Sequence, residues 1–259
     1  MEKKTLSRDG TSIAYERTGR GPAVVLVSGA MSTGATIAPL AAELSDRLDV
    51  TVYDRRGRGE SGDTAPYAVE REIEDLAALI ETVGGEASLY GMSSGGALVL
   101  RAAASGLPVR RVAVYEVPYA MDDAAVRAAA AYTERLTEAL GQGRRGDAVE
   151  AFLRHTGLGE EMIRGARQSP MWTGMESVAP SLAYDDAAMG DSRVPESELA
   201  SVTAPLLALA GGASDAWWHE AARAIAGAAP HGTYGTVEGQ THMVEPGVLA
   251  PVLMEFLTG

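Results

Sequence analysis

Apolar positions along this 259-residue chain follow two rhythms that take turns. Residues 23–27, Ala-Val-Val-Leu-Val, form a continuous apolar run of the kind buried on both faces of a parallel sheet. Shorter runs at 49–53, 87–90, 109–114, 206–210 and 233–237 read as further strands. Between them the apolar spacing widens to that of a helix. Leu40, Leu44 and Leu48 mark one face of 37–48, and Ile73, Leu76, Leu79, Ile80 and Val83 mark one face of 70–83, which Gly84-Gly85 stops. Residues 95–105, 218–228 and 248–257 continue the series. Ahead of it, Leu6 and residues 11–18 read as a hairpin, with Asp9-Gly10 tolerating the positive φ of a tight turn. Strands alternating with helices imply right-handed crossovers, hence an α/β fold: a mostly parallel, eight-stranded sheet with helices on both faces.

After Pro118 the alternation stops and resumes only at about residue 201. Residues 118–200 carry helical patterns without strands, among them 123–140, capped by an aspartate and stopped by Gly141, and 147–155, stopped at Gly157. This is the pattern of a helical cap inserted into a core made of 1–117 and 201–259. Its apolar load includes Met121, Met162, Met171, Trp172, Met175, Leu182 and Tyr184. Such residues serve as the insertion's own core, and a lid over a reactive centre would turn some of them down into a pocket.

Composition narrows the choice of function. Hydrophobic residues make up 46% and charged ones 22%, a globular balance, and the net charge of -13 argues against a nucleic-acid partner, which needs a concentrated basic surface. The absence of cysteine removes disulfides and thiolate chemistry, and no His and carboxylate cluster has metal-ligand spacing, so neither metal nor cofactor is expected. No run approaches the ~20 apolar residues of a membrane span and none resembles a leader at the N-terminus, so a cytoplasmic monomer or homodimer is the expectation.

Candidate chemistry gathers at Gly91-Met92-Ser93-Ser94-Gly95. In a G-x-S-x-G frame the glycines leave room for a sharp strand-to-helix turn that pushes the Ser93 hydroxyl outward, while Ser94 lacks the glycine its own frame would need. Amides opening the following helix would face an oxyanion formed beside Ser93. A serine nucleophile needs a base held by an acid. Of the four histidines, His155, His219 and His231 lie in the insertion, beside a helix start, or on the entry to the last strand. Only His242 leaves that strand, at the sheet edge where Ser93 lies. Asp215, just beyond 206–210, is the expected acid, with Glu116 at the end of 109–114 as its rival. Asp54-Arg55-Arg56-Gly57-Arg58-Gly59-Glu60-Ser61-Gly62 reads as a tight loop whose Asp and Arg side chains pair internally.

Several of these motifs resemble the α/β-hydrolase fold family over nearly the whole chain. Val25-Leu26-Val27-Ser28-Gly29-Ala30 stands where that family has a strand followed by His-Gly-x, residues 53–61 resemble its D-x-R-G-x-G-x-S loop, and 91–96 its nucleophile elbow. Residues 206–215 resemble its acid strand and Gly239-Gln240-Thr241-His242 its histidine loop. Ser28 and Met92 replace histidines common in the family. The resemblance implies a Ser93, Asp215, His242 triad with the amides of Ala30 and Ser94 as oxyanion donors. It implies hydrolysis of an ester, lactone or thioester through an acyl-enzyme, and the Met and Trp residues of the insertion add the expectation of a small, largely apolar substrate. Acyl transfer, cyclisation and other serine-triad chemistry such as carbon-carbon hydrolysis or perhydrolysis are alternatives, as is a non-catalytic binder on the same scaffold. Pocket candidates are Met31, Met92, Met121, Trp172, Met175, Trp217, Trp218 and Met243. The insertion holds 8 basic and 14 acidic residues, a further reason to expect an apolar substrate.

Overall fold

The computed structural model describes residues 3–259. An antiparallel hairpin of β1 (Lys3–Leu6) and β2 (Ser12–Gly19) opens the sheet, with Gly10 at φ 85° in its turn. β2 pairs antiparallel with β4 (Asp49–Tyr53). From there every pairing is parallel, through β3 (Ala23–Val27), β5 (Ala87–Met92), β6 (Val109–Tyr115), β7 (Leu206–Gly211) and β8 (Gly232–Val237). The order β1-β2-β4-β3-β5-β6-β7-β8 makes eight strands, as the apolar runs predict, and sets β3 and β5 side by side in the middle.

Successive side chains of a strand face opposite sides, and the two halves of the core divide accordingly. Val24 and Leu26 of β3 pack with Leu40 and Leu44 of α1 (Gly34–Leu44) and with Leu249, Leu253 and Leu257 of α11 (Pro246–Thr258). Val25 and Val27 pack on the other face with Leu76 and Leu79 of α2 (Val69–Thr82), Leu98 and Leu100 of α3 (Ser94–Ala104) and Ile225 of α10 (Ala216–Ala228). α1, α2, α10 and α11 therefore bury the stripe that a 3.6-residue period predicts, whereas α3 is buried on every side from Ser94 to Leu100.

Between β6 and β7 the chain runs through α4 (Asp123–Gly141), α5 (Arg145–His155), α6 (Glu160–Arg167), α7 (Trp172–Val178), α8 (Leu182–Met189) and α9 (Glu196–Leu199), with no strand among them. Asp122 caps α4 by accepting from the Ala125 amide at 2.7 Å. These helices have a core of their own, including Tyr132, Leu136, Val149, Trp172 and Leu182, and Ala30, Met31 and Met175 pack against it. Among the described residues no helix is long and apolar enough to cross a membrane.

The 54–62 loop corrects one expectation, because its arginines do not pair within the loop. Arg55 forks onto Glu72 of α2 at 2.7 and 2.8 Å, and Arg56 forks onto Asp75 at 2.8 and 2.7 Å while reaching Asp9 of the hairpin turn. Both Arg55 and Arg58 reach Asp185 of α8. Asp54 instead accepts the amides of Gly34 and Glu60, tying the start of α1 to the loop. A buried guanidinium must find acids wherever the fold brings them, and a nine-residue loop does not supply enough. Asp75→Ala should lower the unfolding free energy by about 3 kcal/mol, the low end for breaking a buried pair, since Arg56 keeps Asp9. Urea denaturation reads this, and Asp123→Ala, which breaks the exposed pair with Arg193, should leave the midpoint where it was.

Candidate active site

At the carboxyl end of β5 the chain turns into α3 at Ser93, whose φ of 55° and ψ of -130° lie outside the regions a side chain ordinarily allows. The turn requires the flanking glycines. A Cβ on Gly91 would come within 2.5 Å of the Gly95 carbonyl oxygen, and one on Gly95 within 2.5 Å of that of Ser28. Ser93 is held from the sheet side, its amide donating to the Tyr115 carbonyl at 3.0 Å. Ser94 and Gly95 are the first residues of α3, so their amides have no acceptor within the helix and meet its positive end.

Tyr115 also reaches the histidine loop. Its hydroxyl donates to the Thr241 carbonyl at 2.6 Å, so the last residue of β6 holds the elbow with its backbone and the residue before His242 with its side chain. Tyr115 is fully buried, and burial raises its hydroxyl above the usual tyrosine range, with the nearby Glu116 charge adding to the effect.

Glu116, and not Asp215, partners the histidine. His242 Nδ1 lies 2.9 Å from Glu116 Oε2, and Oε1 of the same carboxylate accepts from the Gly211 amide at 2.8 Å and the Ser214 hydroxyl at 2.5 Å. Glu116 is 1% exposed and adopts φ 46°, turning the chain off β6. Burial works against its charge, but the bonds from His242, Ser214 and Gly211 outweigh it and hold the carboxyl below the ordinary glutamate range. Asp215 is exposed at the N-cap of α10. Sheet register gives the reason. Tyr115 stands opposite both Met92 and Leu209, so Glu116 is level with Ser93, whereas Asp215 follows a further turn of 212–214 beyond β7. The end of β7 and that turn contribute hydrogen-bond donors to Glu116, the Gly211 amide and the Ser214 hydroxyl, rather than the acid itself.

The indole of Trp218 stacks on the His242 ring, 4.7 Å between centroids and 18° between planes, and Trp217 stacks on Trp218 at 3.8 Å. The His242 side chain is 35% exposed. Two of the other three histidines are engaged elsewhere: His155 stacks on Tyr132, and His219 Nδ1 lies 2.7 Å from the Tyr234 hydroxyl. The other residues expected to line a pocket scatter. Met31 and Met175 pack against the core of the α4–α9 segment, and Trp172 is buried in that core. Met92 packs against the cluster of α1 and α11, on the face of the sheet that Val24 and Leu26 also take. Met121 is partly exposed and Met243 is 83% exposed. Ser28, standing where the family resemblance implies a histidine, buries a hydroxyl with no hydrogen-bond partner among the described residues.

Because its folded carboxyl titrates below the ordinary 4.5, Glu116 stabilises the fold above that value and ceases to do so as pH falls through the lower, folded pKa. The unfolding free energy of the wild type minus that of Glu116→Gln should therefore be flat above about pH 6 and shrink below 4.5. Urea titrations at a series of pH values measure it, and a difference that grows on acidification contradicts it.

An alpha/beta hydrolase from Sphaerobacter thermophilus has a solved structure that is 52% identical, covering 98% of this chain and 99% of that one with a TM-score of 0.89. The pimeloyl-acyl-carrier-protein methyl ester esterase of Stenotrophomonas maltophilia is 36% identical over 100 residues, 38% of this chain and 37% of that protein. The N-formylmaleamate deformylase of Pseudomonas putida is 34% identical over 104 residues, 39% of each chain. These two alignments span less than two fifths of the curated relatives' own length. The family description "Alpha/beta hydrolase family" matches residues 24–251, from β3 into α11, and the chain belongs to that family.

Proposed function

We propose that this chain is a serine hydrolase that cleaves a carboxylic ester, lactone or thioester of a small, largely apolar substrate through an acyl-enzyme. The observation that carries the reading is the 2.9 Å contact between His242 Nδ1 and a buried Glu116, at the sheet edge where Ser93 stands out of a strained turn. In this reading His242 takes the proton of Ser93 as the hydroxyl attacks the carbonyl, and Glu116 orients the ring and stabilises its cation. The amides of Ala30 and Ser94 receive the oxyanion. His242 returns the proton to the leaving group, then activates water to release the acid. Relatives named as an ester esterase and a deformylase support acyl chemistry.

The α4–α9 segment serves in this proposal as a lid. Support comes from Ala30 and Met31, which pack against the same apolar cluster as Trp172 and Met175, so the oxyanion loop and the helices share a wall. The Trp217-Trp218 stack beside His242 gives an apolar surface on the other side.

Intact mass after treatment with a fluorophosphonate, with turnover of p-nitrophenyl esters, tests the reading. Stoichiometric labelling of Ser93 is expected, and Ser93→Ala should abolish both labelling and turnover without changing circular dichroism. Glu116→Gln should lower kcat by roughly 10⁴-fold, the loss seen when the orienting acid of a serine protease is neutralised, and Asp215→Asn by less than about threefold. If Asp215→Asn proves the more damaging, the acid is misassigned. Burial contributes about 25 cal/mol per Å² of apolar surface, so kcat/KM should rise at least ~10-fold from acetyl to octanoyl esters. A flat or falling series removes the apolar pocket.

A further inference from the structure

Asp185 lies on α8, in the segment between β6 and β7, and is 4% exposed. Its Oδ2 accepts from Arg58 Nη2 at 2.7 Å, and its Oδ1 accepts from Arg55 Nη1 at 2.6 Å and from the Ser94 hydroxyl at 2.8 Å. Burial opposes its charge, yet the two arginines and the hydroxyl prevail and hold the carboxyl below the ordinary aspartate range. Nothing in the acyl-transfer sequence above uses this group.

All three donors lead to the oxyanion loop or the elbow. Arg58 Nη1 donates to the Gly29 carbonyl at 2.7 Å and to the Ser32 carbonyl at 3.2 Å, and Arg55 Nη1 lies 3.4 Å from the Ser28 carbonyl. These carbonyls bracket Ala30 and Met31, and Met31 is itself held at φ 57°. The Gly29 carbonyl and the Ala30 N–H belong to one planar peptide unit and point in opposite directions, so a grip on the oxygen fixes where the N–H points. Ser94 is reached directly, through its hydroxyl.

We propose that Asp185 is the positioning residue of the oxyanion hole: one carboxylate aims the Ala30 amide through Arg58 and the Ser94 amide through the serine hydroxyl, so that docking of α8 completes the hole. The inference rests on the reading of Ala30 and Ser94 as oxyanion donors to a Ser93 reaction. It explains why Ser94, which fails the nucleophile spacing, nonetheless carries a hydroxyl. It also ties the α4–α9 segment to the chemical step rather than to substrate enclosure alone.

Asp185→Asn turns an NH₂ toward a guanidinium or toward the Ser94 hydroxyl and breaks at least one route. With p-nitrophenyl butyrate, kcat should fall about 10²-fold, the order of one lost oxyanion donor, while KM stays within about threefold. Phenylboronic acid, which adds to Ser93 and places an oxygen in the hole, should weaken by a similar factor. Ser94→Ala keeps both arginine pairs and the amide, unpairs no buried charge, and should lose about 10-fold in both measurements. The double variant should lose no more than Asp185→Asn alone, because the hydroxyl acts through the carboxylate. A folded Asp185→Asn enzyme, judged by circular dichroism, that keeps wild-type kcat and boronate affinity overturns the proposal. Should Asp185→Asn not fold, Ser94→Ala decides, and unchanged kcat and boronate affinity in that variant overturn it. Fluorophosphonate labelling separates the two levels. If wild-type Ser93 is not labelled, the hydrolase reading and this inference fall together, whereas a labelled Ser93 with an indifferent Asp185 removes only the inference.

Discussion

Three guanidinium groups on four consecutive residues, Arg55, Arg56 and Arg58, are withdrawn almost completely from water. A cation so placed costs several kcal/mol unless acids and acceptors surround it, and leaving one unpaired is far worse than never burying it. The acids come from the hairpin turn, from α2 and from α8, the last of them 130 residues from Arg55. The loop after β4 is therefore a fixed point to which separate parts of the chain are pinned. Its spare donors hold the backbone carbonyls of Gly29 and Ser32, in the connection that leaves β3. Tyr67 and Tyr184 reinforce the same junction, stacking at 3.8 Å, with the Tyr67 hydroxyl shared between Glu72 and the Tyr184 carbonyl.

The end of β6 supplies the second constraint. Two adjacent residues there connect three loops: Tyr115 joins the elbow to the histidine loop, and Glu116 joins His242 to the Gly211 amide and Ser214. A carboxylate that accepts three hydrogen bonds in a buried setting has one arrangement available to it, so the ring of His242 inherits its orientation from the sheet rather than from its own exposed loop. Stacking of Trp218 on the ring restricts it from the other side.

Much of this was legible from residue order. The glycines around Ser93 announce a close approach of backbone to backbone, because only a missing Cβ permits it, and the structure has that approach at Gly91 and Gly95. The period of Leu40 and Leu44, or of Leu76 and Leu79, selects the buried face of a helix whatever the helix packs against. His242 could be singled out because connections that leave parallel strands emerge at one edge. Glu116 was visible as a rival for the same reason, standing directly after an apolar run.

What residue order by itself determined is local: element type, the faces that must be buried, the strained turn, and the one sheet edge that carries both Ser93 and His242. These follow from backbone sterics and from periodicities of two and 3.6 residues, which act over a few neighbours. Tertiary structure decided the pairings. Whether His242 faces Glu116 or Asp215 depends on strand register, since both follow strands that end at the same edge and only the level of Tyr115 with Met92 and Leu209 distinguishes them. Whether Met92 meets a substrate or the core depends on which face its strand position presents. The partners of Arg55 and Arg58 lie on a helix distant in sequence, and a buried charge takes the acid that folding brings to it, which no spacing along the chain records.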